Sequence, residues 1–146
     1  MNQSSLNALI ELATEKRDAA AAELGALHGE RAQSQAQLEA LIAYRAEYGE
    51  RLARAMANGL SMHRLDNDQR FLAALDEAIG QQERIVAHSE HRLADGKSQW
   101  QDRQRRLKSF DALEERRRAE AARRDARREQ QDNDEAAGRA ARRANG

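Results

Sequence analysis

The chain has 146 residues with 25 Lys+Arg, 25 Asp+Glu, 3% aromatic residues, no Pro and no Cys. So few aromatic residues exclude a broad globular core, the absence of Cys excludes disulfides and thiolate metal sites, and zero net charge argues against a dedicated nucleic-acid binder. No apolar run reaches the roughly 18 residues of a membrane span. This composition is typical of long helices and predicts a soluble, intracellular, all-helical protein.

The first predicted helix covers residues 6–57, after a flexible start over residues 1–5. Apolar residues recur along it in alternating steps of three and four, which is the heptad pattern of a coiled-coil seam. The seam's main members are Leu6, Ile10, Leu24, Leu27, Leu38, Leu41, Tyr48 and Leu52. Arg17, Arg31 and Arg45 interrupt it, and we expect their charged heads to extend outward over their aliphatic stems.

A turn is predicted over residues 58–61, where the sequence reads Asn-Gly-Leu-Ser. Asn58 and Gly59 tolerate the left-handed conformation that ends a helix. Ser61 is a typical N-cap for the helix that follows. A connection this short favours two antiparallel neighbouring helices.

The second predicted helix pairs over residues 62–113 with the first. An apolar residue stands at every seventh position, at Leu65, Leu72, Ile79, Val86, Leu93, Trp100 and Leu107. Antiparallel pairing aligns residues whose numbers add up to 120, so that Leu24 lies opposite Gly96. The predicted fold is therefore an all-α, long antiparallel two-helix coiled-coil hairpin, monomeric, with a charged helical overhang over residues 114–131 and a frayed or disordered tail over residues 132–146.

The sequence offers no catalytic, cofactor-binding or metal-binding site. His88 and His91 lie one helical turn apart, which in principle suits a metal, but both are predicted to face water and no third ligand accompanies them. A two-helix hairpin also lacks a cleft in which a reaction could be sheltered from water. We therefore predict a protein that is not an enzyme and that needs no cofactor.

Three of the five aromatic residues, Tyr44, Tyr48 and Phe71, lie close to the predicted turn. The antiparallel register places them on one edge, together with flanking residues of both helices. This predicted edge comprises Gln37, Leu41, Tyr44, Tyr48, Phe71, Leu75, Ala78 and Gln82. A thin hairpin cannot bury Tyr44 and Phe71 fully, which is typical of a partner-binding surface; alternatively, these rings widen the seam beside a turn that would otherwise fray.

The segments LEALIAYRAEYGERL, NGLS and RLDNDQRFLAALDEAI resemble the flagellar FliJ family of type III export proteins. LNALIELATEKRDAAAAELG and DNDEAA also fit that family, so the resemblance covers nearly the whole chain. Its most specific part is the pair of tyrosines four residues apart, the turn, and RFLAALDEAI. The resemblance implies a cytoplasmic protein at the cytoplasmic face of the inner membrane, acting in flagellum biogenesis, protein export, motility and chemotaxis.

The resemblance also implies partners. Members look like the coiled-coil stalk of rotary ATPases, with ends that insert into a hexameric export ATPase. They contact the cytoplasmic domain of the export-gate protein FlhA and handle empty export chaperones. The family's gate-binding surface matches the eight residues of the edge, except that the last position is often His in relatives and is Gln82 here.

The ATPase-facing end would be the open end of the hairpin, near residues 6–17 and 100–128. Basic residues of the overhang could face acidic loops of the ATPase ring, in particular Arg116, Arg117, Arg118, Arg123 and Arg124. The alternative is a solvated face that is balanced by neighbouring Glu and Asp residues.

Three other functions stay open at this point. The first is the related stalk protein of a virulence injectisome, with the same fold and mechanism. The second is a passive structural coiled coil that dimerises and spaces other proteins. The third is a nucleic-acid or ribosome-associated helix that uses its Arg-rich tail, although the zero net charge weakens it.

Overall fold

The computed structural model describes residues 2–146 and contains two α-helices in that part of the chain. Helix α1 spans Gln3–Ala57 and helix α2 spans Met62–Asn145. No strand occurs among the described residues. The all-α fold class, with two long helices packed against each other, is confirmed.

The helices contribute to two compact units. The turn unit is Asp18–Asp102, which contains the connection between α1 and α2. The terminal unit combines the chain up to Arg17 with Arg103–Gly146. Each unit joins a segment of α1 to a segment of α2, so each is held together by contacts between residues far apart in the sequence.

The turn between α1 and α2 is closed by backbone hydrogen bonds and by one side chain. Gly59 has a φ of 91°, a left-handed conformation that carries no steric penalty for glycine. Its N–H donates to the carbonyl of Met56 over 3.2 Å, which helps to end α1. Ser61 Oγ accepts the backbone N–H of Arg64 at 3.3 Å and so caps the start of α2.

The core of the turn unit is a narrow apolar seam that polar residues interrupt at one place. Its buried apolar residues are Leu27, Leu38, Leu52, Leu75 and Val86. The buried polar residues Ser34, Gln82 and Ser89 lie in the same seam. Ser34 Oγ and Ser89 Oγ share a hydrogen bond of 3.1 Å, and Gln82 Nε2 donates to the carbonyl of Ser34 at 2.9 Å. Because their polar atoms bond across the two helices, these residues are compatible with burial.

Gly96 confirms the predicted register. A Cβ built on Gly96 would overlap Leu27 Cδ1 and would lie 3.9 Å from Leu24 Cδ1. The side chains of Leu24 and Leu27 thus occupy the space that Gly96 leaves open. This glycine serves close packing between the helices.

Two of the arginines that interrupt the seam pair with acidic residues of α2 at the surface. This confirms the prediction that their guanidinium groups extend outward. Arg45 Nε donates to Asp76 Oδ1 at 2.8 Å, and Arg31 Nη2 lies 3.5 Å from Glu90 Oε1. The Arg45 guanidinium holds the pKa of Asp76 below its ordinary range, chiefly through this hydrogen bond. Each pair therefore links α1 to α2 at the surface, beside the apolar seam.

In the terminal unit, Leu6, Ala13 and Leu107 are buried. Helix α1 begins at Gln3, within the segment expected to be flexible, because Asn2 caps it: the N–H of Ser5 donates to Asn2 Oδ1 at 2.8 Å. Met1 lies outside the described residues.

Helix α2 continues past residue 132 to its end at Asn145, whereas fraying or disorder was expected over residues 132–146. Ala and Arg, both strong helix formers, dominate this segment, and Gln130 Nε2 donates to Asp134 Oδ1 at 3.1 Å one turn on. Residues 122–137 are exposed throughout. Residues 122–137, which include the later part of the charged overhang, therefore form a solvated helix.

Replacing Gly25 and Gly29 with Ala is expected to raise the free energy of unfolding by roughly 0.5–1 kcal/mol for each residue. A Cβ at either position meets nothing within 4 Å, so the higher helix propensity of Ala acts without a steric cost. Thermal and urea unfolding followed by circular dichroism measures the change. Gly59→Ala is the control of opposite sign, because its positive φ disfavours a side chain.

Candidate partner-binding edge

Three aromatic rings from both helices form one cluster in the turn unit. The ring centroids of Tyr48 and Phe71 are 4.7 Å apart. Tyr44 lies 6.3 Å from Phe71 in an edge-to-face arrangement and 6.4 Å from Tyr48. These distances fall within the range of favourable aromatic pairs, so each ring restricts the motion of the others.

The rings differ in how much water they meet. Tyr48 is half-buried at the seam, whereas Tyr44 and Phe71 remain 43% and 40% exposed. The side chains of Tyr44 and Phe71 therefore present apolar area to solvent while being held from behind by Tyr48. The structure brings these three predicted residues together.

Asp68 fixes the position of Tyr48. The Tyr48 hydroxyl donates a hydrogen bond to Asp68 Oδ1 at 2.8 Å, and Arg64 Nε lies 3.9 Å from Asp68 Oδ2. The guanidinium of Arg51 lies 5.6 Å from the centroid of the Tyr48 ring. In the sequence, Asp68 reads only as a polar interruption of the seam, because the heptad pattern does not reveal its phenol partner.

The pKa of Tyr48 is raised above the ordinary 10.0, first because its hydroxyl donates to Asp68 and second because of burial. Only the neutral phenol donates this bond, so its stabilisation is complete below the pKa of an unfolded tyrosine and is lost as pH rises through the raised folded value. The chain has two tyrosines, so a Tyr44→Phe variant retains Tyr48 as its single tyrosine. Its phenolate absorbance is expected to titrate with a midpoint above 10.0, and Asp68→Ala is expected to lower that midpoint. An unchanged midpoint in Asp68→Ala would show that the hydrogen bond is not its cause.

An open groove of about 420 Å³ adjoins the aromatic cluster. It is lined by Gln37, Ala40, Leu41, Tyr44 and Gln82. Four of these five belong to the edge predicted from sequence, and Ala40 extends it. We call the aromatic cluster together with this groove the aromatic edge.

The structure buries two of the eight predicted residues beneath this surface. Leu75 packs in the seam at 8% exposure, and Gln82 is equally buried. The Gln82 amide nitrogen donates to the Ser34 carbonyl at 2.9 Å and to Gln37 Oε1 at 3.3 Å. Gln82 therefore lies beneath the groove, and its side-chain N–H groups form hydrogen bonds to residues of α1.

Ile85 is an exposed apolar residue that the predicted edge does not include. Its side chain is 52% exposed. It follows Phe71 and Ala78 at the same spacing of seven residues, so it takes the same heptad position on α2. That spacing is the signal by which the sequence could have placed it on the edge.

The predicted ATPase-facing arginines lie on α2 in the terminal unit. Arg116, Arg123 and Arg124 are exposed. Arg118 Nη2 pairs with Glu114 Oε1 at 2.9 Å within the helix, and Arg117 Nη1 is buried without a hydrogen-bond partner. Arg118 is thus partly balanced by its own helix, as in a solvated charged face.

Within residues 2–146, no group of three or more His, Asp or Glu residues is arranged to hold a metal ion. His91 lies 3.7 Å from Asp95 on its own helix. Over the same residues, neither helix has a stretch of sufficient length and hydrophobicity for a membrane span.

The family model described as "Flagellar FliJ protein" matches residues 2–146. The chain belongs to the flagellar FliJ family. This confirms the resemblance that the tyrosine pair, the turn and RFLAALDEAI indicated. Membership of the FliJ family implies a component of flagellar protein export.

Two curated FliJ relatives agree with this assignment. The chain is 32% identical to the Flagellar FliJ protein of Salmonella typhi over 117 residues. This match covers 80% of each chain. It is 31% identical to the Flagellar FliJ protein of Escherichia coli (strain K12) over 112 residues. This match covers 77% of this chain and 76% of the relative. No solved structure matches the chain.

Proposed function

We propose that this FliJ-family chain links the flagellar export ATPase to the cytoplasmic domain of the export-gate protein FlhA. It does so as a monomeric cytoplasmic stalk, associated peripherally with the inner membrane at the export apparatus, and it also handles empty export chaperones. The chain is a binding component without catalysis or a cofactor of its own. The observation that carries the proposal is the aromatic edge with its exposed Tyr44 and Phe71 rings.

The packing of the aromatic edge supports binding of a protein partner. Because Tyr44, Tyr48 and Phe71 contact one another, docking a partner on them costs little additional side-chain entropy. Partly exposed aromatic residues beside a polar rim are enriched among residues that dominate binding energy. Gln37, which lines the groove beside Tyr44, supplies part of that polar surrounding.

The other interpretation of the edge, that its rings only widen the seam, is less well supported. Tyr48 already fills the seam and satisfies its hydroxyl at Asp68. Tyr44 and Phe71 add exposed apolar area, which a purely structural seam does not need. Family membership likewise favours a flagellar stalk over an injectisome stalk or a passive scaffold.

Binding of the purified full chain to the soluble FlhA domain and to the export ATPase tests this function. We expect each partner to form a complex separately and expect the chain alone to sediment as a monomer of 16.4 kDa. Deletion of the gene should abolish motility, and the wild-type gene should restore it. Failure to bind either partner, together with a dimeric mass, would favour the passive scaffold.

A further inference from the structure

The terminal unit contains an apolar cavity surrounded by basic residues. The cavity measures about 40 Å³, room for the end of one apolar side chain. Its apolar wall consists of Leu9, Leu12, Ala13 and Phe110. Lys16, Arg103 and Arg106 complete the lining. We call this feature the basic pocket.

The pocket's apolar wall is partly open to water. Leu12 is 47% exposed, although Ala13 beside it is buried. Phe110 is half-buried, and the guanidinium of Arg106 lies 5.9 Å from the centroid of its ring. An incoming apolar group would therefore cover Leu12 and meet an aromatic ring that already has a cation near it.

The three cations of the pocket lack carboxylate partners among residues 2–146. Elsewhere on the molecule, Arg31, Arg45 and Arg92 each pair with an acidic residue of the opposite helix. Neither Lys16, Arg103 nor Arg106 forms such a pair within the described chain. The chain as a whole is neutral, so this pocket concentrates positive charge that its own acidic residues do not offset.

We infer that the basic pocket binds a segment of a partner protein in which an apolar side chain is flanked by carboxylates. The apolar side chain covers Leu12 and Phe110, and the carboxylates pair with Lys16, Arg103 and Arg106. Charge complementarity selects this occupant, since a neutral apolar segment would leave three cations unpaired. A nucleic-acid backbone fits less well because it offers the apolar wall no side chain.

This surface is separate in sequence from the aromatic edge and from the exposed arginines of the overhang. Where the partner is taken to be the export ATPase, the inference rests on the proposed function. The pocket residues then replace Arg116–Arg124 as the expected contact, because an apolar wall accompanies the charge.

The direct test uses the full chain and a short acetylated peptide with one leucine between pairs of glutamates. The methyl resonances of Leu9, Leu12 and Ala13 should shift saturably on titration. Peptides with Ser in place of the leucine, or with Gln in place of the glutamates, should bind about tenfold more weakly or worse. Absence of a saturable shift with the acidic leucine peptide would overturn the inference, as would equal affinity for all three peptides.

A matched pair of triple variants separates local charge from overall charge. Lys16→Gln/Arg103→Gln/Arg106→Gln should lose the peptide response, whereas Arg123→Gln/Arg124→Gln/Arg127→Gln, with the same loss of charge on exposed positions, should retain it. Leu12→Ser, at an exposed position, tests the apolar wall if the first triple variant does not fold. Equal losses in both triple variants, or tighter binding of duplex DNA than of the peptide at the pocket, would contradict the proposed occupant.

Binding of the export ATPase to the same variants distinguishes this inference from the proposed function. If the wild-type chain binds the peptide but not the ATPase, the proposed link to the ATPase is wrong, whereas the inference that the basic pocket binds an acidic apolar segment is supported. If the chain binds the ATPase equally well with and without the pocket cations, the ATPase uses another surface.

Discussion

Replacing both Tyr44 and Phe71 with Ala is expected to weaken binding of the soluble FlhA domain by roughly 10- to 100-fold. The two rings are the exposed aromatic groups of the aromatic edge, and Tyr48 holds them in place. Isothermal titration calorimetry measures the affinity. Circular dichroism should show unchanged helicity at the temperature of the titration, because neither ring is fully buried.

Ile42 provides the matched control for this double variant. It lies on α1 two residues before Tyr44 in the sequence, is 48% exposed, and neither belongs to the aromatic cluster nor lines the groove. Ile42→Ala should therefore leave gate affinity within about twofold of the wild type. If Tyr44→Ala/Phe71→Ala binds as tightly as Ile42→Ala, the aromatic rings serve packing alone.

Replacing Leu27 with Ala is expected to lower the free energy of unfolding by about 2–3 kcal/mol. Leu27 is 4% exposed and fills the space above Gly96, which has no side chain that could close the resulting cavity. Urea unfolding followed by circular dichroism measures the loss. Leu12→Ala, at a site that is 47% exposed, should cost well under about 1 kcal/mol and serves as the control.

A double-mutant cycle tests whether Leu27 and Gly96 share one packing layer. Gly96→Ala alone should fail to give the stabilisation expected at Gly25 and Gly29, because its Cβ overlaps Leu27 Cδ1. In a Leu27→Ala background the overlap disappears, so Gly96→Ala should recover about 0.5–1 kcal/mol. Additive effects of the two changes would contradict the register described for the helices.

The sequence was sufficient to predict the two helices and their register. A left-handed glycine and a capping serine are local signals, and Gly59 and Ser61 show them in the structure. The heptad spacing then fixes which residues lie opposite each other, as Gly96 with Leu24 and Leu27 confirms. Both arguments depend on backbone geometry and on side-chain size, which a single sequence carries.

Features that depend on side-chain conformation could not be read from the heptad pattern. The pattern marks Ser34, Gln82 and Ser89 as weak seam positions, but their mutual hydrogen bonds appear only once rotamers are known. The same limit applies to the Tyr48–Asp68 bond. Burial of Gln82 likewise changes its expected role from a surface contact to a support of the groove.

The most direct test of the aromatic edge as a docking surface is a cysteine-accessibility footprint. The chain contains no Cys, so one introduced thiol is its sole labelling site. Gln37→Cys lies in the groove, whereas Ile42→Cys lies outside it; both positions are exposed. Maleimide labelling is measured by mass, with and without a saturating soluble FlhA domain whose own thiols have been blocked.

We predict that the FlhA domain slows labelling of Gln37→Cys by about tenfold or more and leaves labelling of Ile42→Cys unchanged. Equal labelling rates at Gln37→Cys with and without the bound domain would contradict the aromatic edge as its docking surface.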